Sequence, residues 1–201
     1  LGFAGGVNVG LRASRHPLAL LLNPDTRVVG DVLPRLVDYA TDHPEAGIIG
    51  PRVLNEDGTL QASRFRFPSL LNQLLEATYL PQLLPGSRIF DRERLGGSDA
   101  TRPAPVEAVS GCCFLVRRSV LDKVGFLDED FFMYAEETDL CYRAWQAGFE
   151  VHYAPVGEIV HLHGASSRLA SRRNFLEYRR SILRFFRKHR SPLATHCARA
   201  L

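Results

Sequence analysis

The sequence predicts an open α/β domain, a sheet with helices packed on its faces. Apolar runs such as Leu18–Leu22 and residues 106–116 alternate with stretches of helical periodicity. Polar islands rich in carboxylates, histidines and glycines stand at the ends of those runs, where open sheets carry their sites. At 201 residues and 45% hydrophobic, the chain is long enough to bury one core and shows no low-complexity tract.

Residues 5–14 read as a glycine turn entering a short helix. Leu18–Leu22 is continuously apolar, as a strand buried on both faces is, and Asn23-Pro24-Asp25 ends it. Residues 31–42 place Val32, Leu33, Leu36, Val37, Tyr39 and Ala40 at helical spacing, with Asp31 set to cap the start and Pro44 beyond the end. Ala46–Leu54 is the next strand, closed by an Asn55-Glu56-Asp57-Gly58 turn. Residues 68–84 are leucine-rich and helical, and residues 85–105 form a loop of a length that often marks a binding element. Residues 106–116 are a second long strand, followed by a short helix over 119–124 and a longer one over 136–147 that Gly148 ends. Residues 149–153 and 158–162 are short strands. Ser171–His189 is a helix with Phe175, Tyr178, Ile182, Phe185 and Phe186 on one side and arginines on the other.

Charge is unevenly spread. From Arg168 onward ten Lys or Arg face the single acid Glu177, so residues 1–167 hold a net −6 within a total of +3. Six acids, Asp128, Glu129, Asp130, Glu136, Glu137 and Asp139, fall in one stretch without a base. Cys112, Cys113, Cys141 and Cys197 lack the spacing of a zinc site or a disulfide framework and read as buried thiols of a reducing compartment. No apolar stretch approaches the roughly 20 residues of a membrane span, and no secretion signal opens the chain. The expected location is the cytoplasm or the inner face of the plasma membrane.

Three islands carry candidate chemistry. Asp25 follows a buried strand, so its carboxylate emerges at the sheet edge, where it either caps a turn or holds a hard cation together with phosphate oxygens. Glu136, Glu137 and Asp139 open a helix, where the macrodipole favours acids, but crowding beside Phe131, Phe132 and Tyr134 also raises carboxyl pKa values toward those of a general base. His161 and His163 share one face of a strand and could complete a metal shell with Asp25. Gly5-Gly6-x-Asn8-x-Gly10 is only loosely like a phosphate-cradling turn. The basic helix suits a membrane surface through Arg172, Arg173, Arg179, Arg180, Arg184 and Arg187, or is a solvated arginine face; nucleic acid is not an expected partner.

Taken in order, these islands resemble the family 2 glycosyltransferases, in particular the bacterial rhamnosyltransferase-like branch. The resemblance rests on residues 2–10, Leu20-Leu-Leu-Asn-Pro-Asp-Thr26, Gly47-Ile-Ile-Gly-Pro51 with Asp57-Gly58, residues 110–118, residues 124–143, Gly148, and His161-x-x-Gly-x-Ser166. It implies the GT-A fold, a Rossmann-like mixed and mostly parallel sheet flanked by helices, over residues 1–167, with residues 168–201 as a basic carboxy-terminal helix. It also implies that an amino-terminal nucleotide-binding strand precedes residue 1, which would make the chain a fragment.

Carried over position by position, the resemblance makes Asp25 and His161 the ligands of Mg²⁺ or Mn²⁺ and Glu137 the catalytic base. Asn8, Asn23, Asp25 and Gly111 would face the donor, a nucleotide diphosphate sugar such as dTDP-rhamnose. Glu136, Asp139 and Arg143 would position a lipid-linked or glycan acceptor. Two other classes fit the same residues: a metal-dependent hydrolase with Asp25, Glu137, Asp139, His161 and His163 as a direct cage, and a non-catalytic sugar-binding remnant.

Overall fold

The computed structural model describes residues 2–95, 98–162 and 171–201. Its elements in chain order are α1 (Gly2–Ala13), β1 (Leu18–Leu22), β2 (Thr26–Val29), α2 (Val32–Asp42), β3 (Ala46–Leu54), β4 (Arg64–Phe65), α3 (Leu70–Ala77) and α4 (Leu80–Leu83). They continue with β5 (Ala104–Val106), β6 (Ala108–Val109), β7 (Cys113–Arg117), α5 (Arg118–Val124), α6 (Glu136–Gln146), β8 (Glu150–His161), α7 (Ser171–His189) and α8 (Pro192–Ala200).

The main sheet runs β1-β7-β3-β8-β2, with β5 also paired to β8. Strand β8 is long enough to carry two neighbours on one side: Val151 to Tyr153 pair with β5, and Glu158 to His161 pair with β2. Alternation along the strands divides the core. Ile48, Phe114 and Val116 face one layer with α1, α5, α6 and Phe185 of α7, while Ile49, Cys113 and Leu115 face the other with Val32, Leu36 and Tyr39 of α2. This two-sided burial is why the strands read as unbroken apolar runs.

Several expectations need correction. The sheet is mixed, but among the described residues only β3 and β8 pair in parallel; β1–β7, β3–β7, β2–β8 and β5–β8 are antiparallel. Continuous apolar character reports burial of both faces, not strand direction. Residues 5–14 are not a glycine turn, because Gly5, Gly6 and Gly10 lie inside α1. The 106–116 run breaks at Gly111 into β6 and β7, and the 68–84 helix breaks at Tyr79, whose φ is 58°. Cys197 is exposed, unlike the other three thiols. Helix α8 was not anticipated, although Ser191-Pro192 is a start signal: Ser191 Oγ accepts from the Ala194 N–H at 3.2 Å.

Helix α7 packs on the core through Ile182, Phe185 and Phe186, while Phe175, two turns earlier, is exposed. The helix is fixed by polar contacts as well. His189 meets Asp139 of α6 at 2.6 Å, Lys188 meets the same carboxylate at 2.8 Å, and Ser181 donates to the Met133 carbonyl.

Candidate active site

At the carboxyl end of β1, the chain turns through Asn23 and Pro24 and re-enters the sheet as β2 beside the end of β8. The pairing sets Thr26 opposite His161, and the Leu162 N–H donates to the Asp25 carbonyl at 2.8 Å. Asp25 and His161 are therefore delivered to one spot, with Asp25 Oδ1 lying 3.3 Å from His161 Nε2. That oxygen is enclosed, yet it accepts no hydrogen bond from a described residue. An enclosed carboxylate oxygen facing an imidazole nitrogen is the donor set a divalent cation uses when phosphate oxygens supply the rest of its shell. The residues present thus fit a cation. The other ring nitrogen, Nδ1, stands 2.8 Å from Gln61 Oε1. His163 lies outside the described residues.

The second half of the site is the start of α6. Tyr134 and Ala135 both adopt left-handed backbone conformations, φ 70° and 64°, which swing the chain sharply into the helix. Glu137, one residue into α6, lines a cleft of about 210 Å³ with Phe65, Arg66, Glu93, Arg94, Tyr134, Thr138, Tyr178 and Ile182. Burial raises its pKa, opposed by backbone N–H groups that include that of Gly111. This cleft shares Phe65 and Arg94 with a second one of about 470 Å³ that His161, Gln61 and Ser110 line. Cys112 lies behind both ends: burial pushes its thiol up to about 11, with smaller contributions from the charges of Glu137 and Asp25.

Gly111 belongs to this geometry. A Cβ at that position would stand 3.3 Å from Glu137 Cδ, closer than almost all real contacts. Gly111→Ala is expected to push the Glu137 carboxylate aside, lowering turnover at least tenfold while the melting temperature moves little. Thermal unfolding and a turnover assay on the same preparation check this; a large loss of stability, or full activity, would contradict it.

Other expected site residues are used elsewhere. Asn8 is buried and holds the 127–129 segment: its amide donates to the Leu127 carbonyl at 2.8 Å and to Glu129 at 2.9 Å, and its oxygen accepts from the Leu127 N–H. Both amide hydrogens are thus committed inside the fold. Asp139 is fully buried, with one oxygen on Arg143 and the other on His189 and Lys188. Arg143 spends its remaining donors on the carbonyls of Val124, Gly125 and Phe126. Glu136 is buried behind the cleft, pushed up to about 9 by burial and then by Glu137, and does not line it. Asn23 sits at the β1 end, its backbone N–H on the Cys112 carbonyl, along a groove between α1 and β1.

Of the arginines expected on a membrane face, Arg179 turns inward to Gln73 and the Ala198 carbonyl, and Arg184 lies over the Phe131 ring. Arg172, Arg173, Arg180 and Arg187 are exposed. Among the described residues no helix is long and apolar enough to cross a membrane.

Two residues escaped the sequence reading. Gln61 and Glu93 are single polar residues in segments without periodicity, so nothing local distinguishes them. Glu93 is brought to the cleft because the Arg66 N–H donates to its carbonyl at 2.7 Å and Arg94 is anchored on Glu76 and Asp91. Burial, then the charge of Glu76, pushes the Glu93 carboxyl up to about 7, and its Oε2 is enclosed without a hydrogen bond. Among the described residues the one place where three potential metal-ligating atoms converge is Glu45, Glu150 and His152, at the opposite end of β8 and roughly 30 Å away along the strand.

Comparison with known proteins accords with this geometry. Residues 1–179 match the family model described as glycosyltransferase like family 2. The chain is 36% identical over 150 residues, 74% of its length and 47% of the relative's, to the N-acetylglucosaminyl-diphospho-decaprenol L-rhamnosyltransferase of Mycobacterium tuberculosis H37Rv. It is 30% identical over 166 residues, 80% of its length and 48% of the relative's, to the low-salt glycan biosynthesis hexosyltransferase Agl10 of Haloferax volcanii. The chain thus spans about half the length of the curated relatives it matches.

Among solved structures, it superposes on the mannosyltransferase PcManGT from Pyrobaculum calidifontis, in complex with GDP-Man and Mn²⁺, with TM-score 0.57 and 16% identity, over 99% of this chain and 48% of that one. It superposes on GalNAc-T7 with UDP, GalNAc and Mn²⁺ with TM-score 0.56 and 17% identity, over 82% and 31%. These likenesses show the fold, that of the GT-A glycosyltransferases. On its matched residues and its fold together, the chain belongs to glycosyltransferase family 2.

Proposed function

We propose that this chain carries the catalytic part of an inverting sugar transferase, which moves rhamnose or a similar hexose from a nucleotide diphosphate sugar to a lipid-linked or polysaccharide acceptor in cell-surface glycan synthesis. One observation carries the reading: His161, with the enclosed Asp25 oxygen 3.3 Å from its ring, lines a cleft that adjoins the Glu137 cleft at Phe65 and Arg94. The relatives that act in glycan assembly, and the GT-A structures holding a nucleotide and Mn²⁺, support it.

In this reading Asp25 and His161 hold Mg²⁺ or Mn²⁺, which when bound offsets the charge of the diphosphate. Glu137 accepts the proton of an acceptor hydroxyl, whose oxygen forms the new bond to the anomeric carbon. The bond from that carbon to the diphosphate breaks on the opposite face, and its electron pair leaves with the nucleotide. Asn23 and Gly111 border the donor. Glu93 and Arg66 stand across the cleft from Glu137, on the acceptor side. Exposed Arg172, Arg173, Arg180 and Arg187, beside exposed Phe175 and Leu176, suit an anionic inner membrane face that presents a lipid-linked acceptor.

The hydrolase reading loses its cage, because both oxygens of Asp139 are occupied inside the fold by Arg143, Lys188 and His189. The test is nucleotide diphosphate release from a panel of nucleotide sugars with Mn²⁺, using the chain within its full-length gene product. Release with one donor is expected, and Asp25→Asn is expected to reduce it at least a hundredfold and to abolish its dependence on Mn²⁺. Metal-independent release that Asp25→Asn leaves intact would remove the cation from the reading.

A further inference from the structure

The Asn55–Gln61 segment closes a turn, yet its side chains continue as a directed line of hydrogen bonds to the site. Asp57 Oδ1 accepts from both the backbone N–H and the hydroxyl of Thr59, at 2.9 and 2.6 Å. Thr59 Oγ1 accepts from Asn55 Nδ2 at 2.9 Å, and Asn55 Oδ1 accepts from Gln61 Nε2 at 2.8 Å. Gln61 Oε1 then stands 2.8 Å from His161 Nδ1.

An ionised carboxylate can only accept, so Asp57 sets the polarity of every following bond. The Thr59 hydroxyl has its proton on Asp57 and its lone pair toward Asn55. Each amide in turn has its nitrogen facing back and its oxygen facing forward. The line ends on an oxygen that can only accept, which requires a proton on His161 Nδ1. The neutral ring then has its lone pair on Nε2, the nitrogen 3.3 Å from the unpartnered Asp25 Oδ1. Two lone pairs at that separation repel unless a cation lies between them. Gln61 is buried, at 7% exposure, so water does not compete for its amide.

We propose that Gln61, oriented by Asn55 and Thr59 from Asp57, is a positioning residue that fixes His161 as the Nδ1–H tautomer and so presents Nε2 to the cation shared with Asp25. The inference rests on the cation reading of this site, but its first consequence is visible without metal. Ligating histidines depend on such outer partners, whose loss typically weakens metal binding about 10–100-fold.

The experiment is ¹H–¹⁵N correlation of the His161 ring in the metal-free chain at pH 8, paired with Mn²⁺ affinity in the presence of dTDP by electron paramagnetic resonance. Wild type is expected to show the proton on Nδ1. Gln61→Leu is expected to transfer it to Nε2 and to weaken Mn²⁺ binding about 10–100-fold. Asn55→Ala, on the more accessible turn, keeps the Gln61 amide but frees it to flip, and a mixture of tautomers is expected from a protein whose backbone spectrum is otherwise unchanged. A wild-type ring protonated on Nε2, or an Nδ1–H form that survives Gln61→Leu, overturns the proposal. If wild type binds no Mn²⁺ with dTDP, the cation reading of the site falls, while the tautomer measurement still decides whether Gln61 sets the ring.

Discussion

Glu137→Gln is expected to lower turnover by about 10²–10⁴-fold, or about 3–5 kcal/mol of barrier, while Mn²⁺ and nucleotide binding stay within twofold of wild type. The amide keeps the size of the side chain and its place beside Gly111 but cannot take a proton. The split between lost turnover and retained binding separates a base from a residue that merely shapes the cleft. The pH dependence follows from the surroundings. Burial raises the Glu137 pKa above the ordinary 4.5, against the pull of the Gly111, Thr138 and Glu137 N–H groups. A base works only when ionised, so activity should rise with pH along a limb whose midpoint lies above 4.5. Glu136 is pushed up to about 9 by burial and then by Glu137, and does not line the cleft, so Glu137 is the member of the pair placed to meet an acceptor. The limb should vanish in Glu137→Gln. A variant that retains activity within tenfold of wild type would transfer the role of base to another residue, with Glu93 the nearest carboxyl in the cleft.

What the sequence made legible was local. The bounds of β1, β3 and α7 coincide with the expected ones: β1 and α7 are single periods unbroken by glycine or proline, and β3 is an apolar run closed by the Asn55–Gly58 turn despite Gly47, Gly50 and Pro51 within it. The expected strands over 149–153 and 158–162 are instead one strand, β8, because Pro155 and Gly157 read as punctuation. The register shift between Gly50 and Arg52 of β3, opposite this stretch, is an irregularity of the kind that tolerates proline inside a sheet. Gly157 is required there by packing, since a Cβ would come within 2.6 Å of Val32 on α2.

The proposed site was legible where its residues ended apolar runs, at Asp25, Glu137 and His161. The buried contacts of Asn8, Asp139 and Arg143 were not legible, because a buried polar network leaves the same trace in a sequence as a ligand site: polar residues set among apolar ones. Tertiary contacts alone tell them apart. His152 and His189, which no motif distinguished, both proved to be buried and bonded, to Tyr39 and Glu150 and to Asp139 respectively.

Asp139→Asn is expected to cost about 3–5 kcal/mol of stability, roughly 10 °C in melting temperature for a domain of this size. The carboxylate is fully buried and faces Arg143 at 2.7 Å, His189 at 2.6 Å and Lys188 at 2.8 Å, so neutralising it leaves the largely buried Arg143 guanidinium short of its counter-charge and weakens the contacts with Lys188 and His189. Its hydrogen bond with His189 and the charge of Arg143, outweighing the opposing effect of burial, hold its pKa down from 3.8 to about 2. A carboxyl with a depressed folded-state pKa stabilises the protein above its unfolded pKa and loses that contribution as pH falls. At about 1.4 kcal/mol per unit, this amounts to about 2–3 kcal/mol, present at pH 5 and lost between pH 4 and 2. Denaturant unfolding of both proteins at pH 7 and pH 2.5 should therefore show a gap that narrows in acid, and a gap independent of pH would rule out the charge as its source. The effect should reach function. Asp139 lies on α6 next to Thr138 and Glu137, while its partners Lys188 and His189 lie on α7, which supplies Tyr178 and Ile182 to the lining of the same cleft. Freed of this clamp, α7 should exchange its amide hydrogens faster and acceptor KM should rise, with Glu137 in place and the acid limb of the pH profile unmoved.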